Sequence, residues 1–212
     1  MIGIGLLGCG RISENHLVGY RDPRDLGGLG EIVALCDSNE EALRRQATKH
    51  EVPTRYTRLE ELIADPNVQV VAVLTPPDIR CDVVLPLLEA GKHVLVEKPF
   101  AHSLEEAQRM VEAAEAHKRV LVVNQNYRWR ADTVKMKELV DSGEIGDVVG
   151  MHQLHAMWRD EGPGWRQTTD YLAMAVMAVH WLDRFRWLTG DEVASVYTAA
   201  RSTGLLQSKG ED

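Results

Sequence analysis

Cysteine is scarce: Cys9, Cys36 and Cys81 are the only three in 212 residues, and none forms a CxxC pair. That excludes a disulfide framework and points to a reducing, cytoplasmic compartment; no metal site is expected. Long apolar runs are lacking as well. The opening MIGIGLLGCG has no basic residue ahead of it, and the longest later run, Leu172 to Val179, is far below the roughly 18 residues that span a bilayer. Neither secretion nor membrane insertion is indicated. A basic excess is missing too. The formal net charge of -8 disfavours a nucleic-acid backbone or anionic membrane as partner, although a local basic pocket for a phosphorylated ligand fits within it. Core-forming residues are plentiful: 44% hydrophobic and 26% charged is the balance of a soluble globular protein, at one large or two small domains. The expected ligand is a small molecule.

Short apolar runs alternate with helical patterns through the first half. Ile2 to Leu7, Glu31 to Cys36, Val68 to Leu74, His93 to Val96 and Arg119 to Val123 lack polar alternation, as parallel strands buried on both faces do. Between them lie amphipathic segments at Glu40 to His50, Arg58 to Ala64, Ile79 to Ala90 closed by Gly91, and Leu104 to His117 introduced by Ser103 as a cap. The pattern βαβαβ predicts an α/β fold with a doubly wound parallel sheet. All five tryptophans lie after residue 128, so a boundary is predicted near Gln125 to Tyr127, giving a first domain over 1-125 and a second over 126-212. In the second, the sequence predicts a helix from Ala131 to Ser142, a turn at Gly143 to Gly146, a strand from Asp147 to about Met157, a helix from Asp170 to Leu188 and a strand from Val193 to Ala200. Two strands seldom make a stable sheet layer unaided, so this α+β domain reads as truncated.

Two stretches match a dinucleotide fingerprint. Gly3, Gly5 and Gly8 fit G-x-G-x-x-G, but no strand can precede residue 3. Gly8, Gly10 and Ser13 (GCGRIS) follow a strand and open a helix, where Gly8 turns the chain, Gly10 lets backbone approach a pyrophosphate and the small Ser13 allows close helix packing. Asp37 ends the second strand, 24 residues after Ser13. There a carboxylate accepts hydrogen bonds from the adenosine ribose and repels a 2′-phosphate, which favours NAD over NADP. The alternative is that Asp37 merely caps the helix beginning around Asn39.

With these residues in view, the chain resembles the glucose-fructose oxidoreductase/inositol dehydrogenase/MocA family of nicotinamide-dependent oxidoreductases. The resemblance runs through GCGRIS with His16, Thr75-Pro76-Pro77, AGKHVLVEKPF (Ala90 to Phe100), QNYRW (Gln125 to Trp129) and VHWLDRFRWLTG (Val179 to Gly190). Glu97-Lys98-Pro99 after a strand is its most specific element. It implies a cofactor site drawn from Gly8, Gly10, Arg11, Ile12, Asp37, Thr75, Pro76, Glu97, Lys98 and Gln125, with Lys98 beside nicotinamide and substrate and His180 as acid/base. Oxidising an alcohol needs a base for the hydroxyl proton and a donor to the developing oxyanion, roles these two residues can fill. The implied activity is hydride transfer between nicotinamide and a sugar, inositol or related hydroxy compound. NAD-dependent glycoside hydrolysis and nucleotide binding without turnover are the alternatives, and association into homo-oligomers is expected when the second domain is complete.

Departures from the family pattern are equally informative. Many relatives carry an aspartate four residues before the histidine, where it can bond the imidazole; here the residue is Val176, and Asp170-Tyr171-Leu172 replaces a glycine-rich lead-in. These changes imply a different substrate, a different orienting carboxylate such as Asp183 on the same helical stripe as His180, or weakened chemistry. Arg80 stands where a histidine is common after the Thr-Pro pair and receives no catalytic role. Tyr127, Arg128, Trp165 and Arg166 are the substrate-binding candidates, with Trp158 and Arg159 beside them, because rings, amides and guanidinium donors suit a polyol or sugar.

Overall fold

The computed structural model of the chain describes residues 1–22, 28–156, 169–202 and 204. It divides into two compact units, Met1–Asn124 and Gln125–Asp212.

The first unit is built on six parallel strands, β1 (Ile2–Leu7), β2 (Gly30–Cys36), β3 (Thr54–Tyr56), β4 (Val70–Val73), β5 (His93–Val96) and β6 (Leu121–Val123). Their order in the sheet is β3-β2-β1-β4-β5-β6. Helices α1 (Ser13–Arg21), α2 (Glu40–Lys49), α3 (Leu59–Ala64), α4 (Arg80–Glu89) and α5 (Leu104–Ala116) alternate with the strands. Period-two geometry sends neighbouring strand residues into opposite cores. Ile4, Leu6, Leu35 and Ala72 pack with Leu17 of α1 and Leu43 and Ala47 of α2. On the other face Leu7, Ala34, Cys36, Val71, Val73, Val94 and Val96 meet Leu62, Val84, Leu87, Leu88, Met110 and Ala114 of α3, α4 and α5. This is a doubly wound sheet with its strand order reversing between β1 and β4.

Local chemistry fixes the helix ends. The Ser103 hydroxyl accepts from the Glu106 amide at 3.2 Å, as the cap expected for α5. Gly91, at φ 82°, closes α4 in the left-handed conformation. Strand limits differ from the sequence reading by local competition: the Val68 amide closes a turn onto Asp65 O, and the Arg119 amide bonds Ala114 O at the end of α5. Those residues are therefore spent before β4 and β6 begin. The polar edge strand β3 carries no apolar run and was not foreseen.

In the second unit the turn Asn126–Trp129 leads into α6 (Ala131–Asp141), and α7 spans Val179–Thr189. The helix expected from Asp170 is not uniform, because Tyr171 takes a left-handed φ of 52° and Ala173–Ala178 form a wider π turn before α7. Alanines at 173, 175 and 178 have side chains short enough for that turn. The strands expected at 147–157 and 193–200 are corrected as far as they are described: residues 147–156 and 193–200 pair with no strand and are almost wholly exposed. A strand without a partner leaves its amides to water and gains no sheet. Met157, Trp158, Arg159, Trp165 and Arg166 lie outside the described residues.

Candidate functional site

Because all six strands are parallel, their carboxyl ends gather on one edge of the sheet, and the loops after β1, β2, β4 and β5 carry most of the expected cofactor residues. Gly8 follows β1 at φ 105°, and a Cβ there would lie 3.2 Å from the Leu74 backbone, so glycine is required twice over. A Cβ on Gly10 would meet nothing within 4 Å. Its glycine leaves open approach to the loop, which is the need of a bound pyrophosphate and not of packing. Ser13 is fully buried and its hydroxyl donates to Gly10 O at 2.6 Å, which holds the turn against α1. Arg11 and Ile12 are exposed at the same helix end, and the positive end of a helix dipole suits an anion.

Asp37 clasps this loop. Its Oδ2 accepts from the Cys9 amide at 2.6 Å and its Oδ1 from the Asn39 amide at 2.8 Å. Capping of α2 falls instead to Asn39, whose Oδ1 accepts from the Ala42 amide at 3.0 Å. Each Asp37 oxygen retains a lone pair for a ribose hydroxyl. Cys9 is buried beneath the loop, and burial, reinforced by the Asp37 charge, pushes its thiol up to about 12, so it stays a packing residue with no thiolate to offer.

A second network joins α1 to the loops after β5 and β6. Glu97 is only 8% exposed, and its Oε1 receives His16 Nε2 at 2.8 Å and Asn124 Nδ2 at 2.6 Å, while Oε2 accepts from the Lys98 amide at 3.1 Å. Burial raises the Glu97 pKa, but the hydrogen bonds from His16 and Asn124 outweigh it and leave the carboxyl below its usual range. His16 is completed by Tyr20 Oη, 2.9 Å from Nδ1. Lys98 follows β5 and is half-buried, and its peptide to Pro99 is cis.

Arg80, assigned no role from sequence, is 2% exposed at the start of α4. Its guanidinium donates to Glu97 O at 2.5 Å and also to Pro99 O and Thr75 O. Burial lowers its pKa to about 10, against the opposing pull of Glu97 and Asp78, so it remains a cation at neutral pH. One side chain thus ties the loop after β4 to the loop that carries Lys98. Thr75 is left with a buried Oγ1 that has no hydrogen-bond partner among the described residues, beside Pro76 in the same loop. A buried hydroxyl without a partner is costly, and a ligand group would satisfy it. The open approach at Gly10, the spare acceptors of Asp37 and this hydroxyl together fit a dinucleotide.

In the second unit, His180 of α7 is 2% exposed. Its ring stacks on Tyr127 with centroids 4.0 Å apart and planes 8° from parallel, and its Nδ1 lies 3.1 Å from Gln125 Oε1. Asp183, one turn further along α7, forms a two-pronged pair with Arg128 at 2.7 and 2.5 Å. That pair is the geometry in which a planar guanidinium binds a carboxylate best, and it holds the Arg128 pKa above its ordinary value. Val176 is 2% exposed. Trp181 completes an aromatic group, 5.3 Å from Tyr127 and 5.3 Å from His155. Gln125, expected from the resemblance to bind cofactor, is also a partner of the imidazole, and no local sequence signal announces a contact 55 residues away.

Glycine turn, acidic clasp and strand-end lysine on a reversing parallel sheet define a dinucleotide-binding unit of the oxidoreductase type. The chain belongs to the oxidoreductase family with the NAD-binding Rossmann fold: that family's profile matches residues 2–125, and the profile of the GFO/IDH/MocA C-terminal domain matches residues 133–211. It is 36% identical over 196 residues to an inositol 2-dehydrogenase of Gluconacetobacter diazotrophicus, covering 92% of this chain and 56% of that protein. To a 1,5-anhydro-D-fructose reductase of Ensifer adhaerens it is 31% identical, over 98% of this chain and 62% of the relative. Among solved structures, a levoglucosan dehydrogenase in complex with NADH and levoglucosan superposes with TM-score 0.76 at 25% identity, covering 90% of this chain and 54% of that one. The chain therefore spans somewhat more than half the length of these relatives. No helix among the described residues is long and apolar enough to cross a membrane.

Proposed function

We propose that the protein is an NAD-dependent dehydrogenase or reductase acting on a CH-OH group of a sugar, inositol or related polyol, with Lys98 and His180 as its proton-handling residues. The observation that carries the reading is Lys98 at the carboxyl end of β5, on the sheet edge that also bears the open Gly8–Gly10 turn. Gly8, Gly10, Arg11 and Ile12 would cradle the pyrophosphate, Asp37 the adenosine ribose, and Thr75, Pro76 and Glu97 the neighbourhood of the nicotinamide. NAD supplies a hydride acceptor when bound. The chain's own contribution is to orient the alcohol, to give its oxygen a cationic donor at Lys98, and to take its proton at the His180 imidazole. Asp37 disfavours the 2′-phosphate of NADP by charge. Tyr127 and Arg128, with Trp165 and Arg166, supply rings and donors for a polyhydroxylated substrate. The names of the relatives, an inositol dehydrogenase and reductases or dehydrogenases of anhydro sugars, support that class.

Exposed Val149, Leu154, Val196 and Tyr197, at 100%, 88%, 71% and 93%, support association of complete chains through the second domain. Three buried free thiols favour a reducing compartment such as the cytoplasm. The test is to titrate NAD into the protein and to follow NADH formation by the complete open reading frame with myo-inositol and anhydro sugars. Failure to bind NAD, or binding of NADP more tightly, refutes the cofactor assignment; net sugar release without NADH points to glycoside hydrolysis instead.

A further inference from the structure

We propose that Gln125 is the positioning residue of the His180 imidazole, in the role that a carboxylate on the histidine's own helix would otherwise fill. This rests on the reading of His180 as acid/base given above. Position 176 is a buried valine, whose side chain has no acceptor for an imidazole. The imidazole is instead fixed from the turn Asn126–Trp129. Tyr127 sets its plane by stacking at 4.0 Å, and Gln125 Oε1 meets Nδ1 at 3.1 Å. The turn itself is pinned, since the Arg128 amide donates to Gln125 O at 3.1 Å and the Arg128 guanidinium grips Asp183 on α7. Gln125 therefore belongs to a frame anchored to the histidine's helix at two points.

The chemistry differs from that of a carboxylate partner. An amide oxygen only accepts, so the neutral ring carries its proton on Nδ1 and its basic lone pair on Nε2. An amide carries no charge, so it fixes the tautomer without stabilising the imidazolium. Among the described residues, the charged and titratable groups facing this cluster include Asp183, held by Arg128; Arg186, whose charge acts on that pair; Arg130, whose guanidinium lies 5.5 Å from the Tyr127 ring centre; and Arg184 and His155, at 5.0 and 5.3 Å from Trp181. Asp183, a carboxylate expected to orient His180, is engaged in the Arg128 pair, while Gln125 Oε1 stands at the imidazole Nδ1.

The test is imidazole ¹⁵N NMR of the full chain, with the His180 signals assigned through His180→Asn, in the parent, Gln125→Glu and Gln125→Leu. The expected result is Nδ1–H as the neutral tautomer in the parent. In the near-isosteric Gln125→Glu the His180 titration midpoint moves up by about one pH unit or more, as an adjacent anion dictates. Gln125→Leu loses the single tautomer. Identical tautomer and midpoint in parent and Gln125→Glu overturn the proposal, and this comparison stands even if the leucine variant does not fold. In the complete protein, the acid limb of kcat/KM shifts upward in parallel with the Gln125→Glu midpoint. A moved midpoint with an unmoved limb supports the pairing and refutes His180 as the acid/base, so the two readings fail separately.

Discussion

Arg80→Met is the most severe single test of the nucleotide-binding unit. The substitution keeps the length and apolar stem of the side chain but withdraws a buried cation from the carbonyls of Glu97, Pro99 and Thr75. Hydrogen bonds to charged groups contribute about 1.5–3 kcal/mol each, and part of that returns because the guanidinium no longer has to be desolvated. Three stranded carbonyls against that relief leave a net loss of about 3–5 kcal/mol. Unfolding entropy near 2.1 cal/mol/K per residue over Met1–Asn124 makes each kcal/mol worth about 4 °C, so Tm should fall by about 12–20 °C. Circular dichroism reports the transition, and amide exchange in β4 and β5 localises it. Arg80→Lys, with one ammonium unable to reach three carbonyls in a plane, should lose about half as much. A loss below about 1 kcal/mol in Arg80→Met would refute the view that this side chain ties the two loops together.

Other expectations follow from the same geometry. Asp37→Ser should narrow the preference for NAD over NADP in fluorescence titrations, because ribose acceptor and repulsive charge leave together; an unchanged ratio counts against the ribose role. In the complete protein, Lys98→Ala and His180→Ala should each lower kcat by roughly 10²-fold or more while NAD still binds, and full turnover in either moves the chemistry elsewhere. Glu97 has a folded pKa below its ordinary 4.5, so its stabilisation is complete above that value and drains away as pH falls through the lower folded one. Glu97→Gln should therefore flatten the acid limb of the stability curve below about pH 4.5, measured by urea unfolding. Val176→Asp should cost stability without raising NADH production, since the site is 2% exposed and Gln125 already holds the imidazole; a gain in turnover at unchanged Tm contradicts this.

The sheet was largely legible because β1, β2, β4 and β5 are rich in β-branched residues and leucine with little polar alternation, and only burial on both faces tolerates such runs. Thr54-Arg55-Tyr56 was not, because an edge strand of three residues borrows its order from β2 and has no pattern of its own. Residues 147–156 and 193–200 carry strand-favouring residues such as Val148, Val149, Val193, Val196 and Tyr197 yet form no strand, since propensity is redeemed only by a neighbouring strand. At the site, Gly8, Gly10 and Asp37 could be placed from spacing, as their chemistry is local to one turn and one strand end. Arg80 could not, because an arginine opening a helix reads as a solvated residue, and nothing in the sequence shows three carbonyls converging on it from two other loops. The helix pattern points to a partner for His180 one turn away on α7, whereas the fold brings Gln125 to its ring from 55 residues upstream.

The central place of β1 has a consequence for synthesis. Its pairing with β4 runs from Ile4↔Val70 to Leu7↔Val73, so once synthesised β1 waits for about 66 further residues before its second edge is covered. At about 5–20 residues per second that is roughly 3 to 13 s of nascent exposure. Gly3 and Gly5 are demanded by packing, since a Cβ would strike Asn67 O at 1.8 Å or the Leu62 side chain at 2.9 Å. The same two glycines dilute the β-propensity of IGIGLL and make it a poor template for a neighbouring chain while it waits. Substituting them should therefore first appear as aggregation during translation, before any native protein exists to be destabilised.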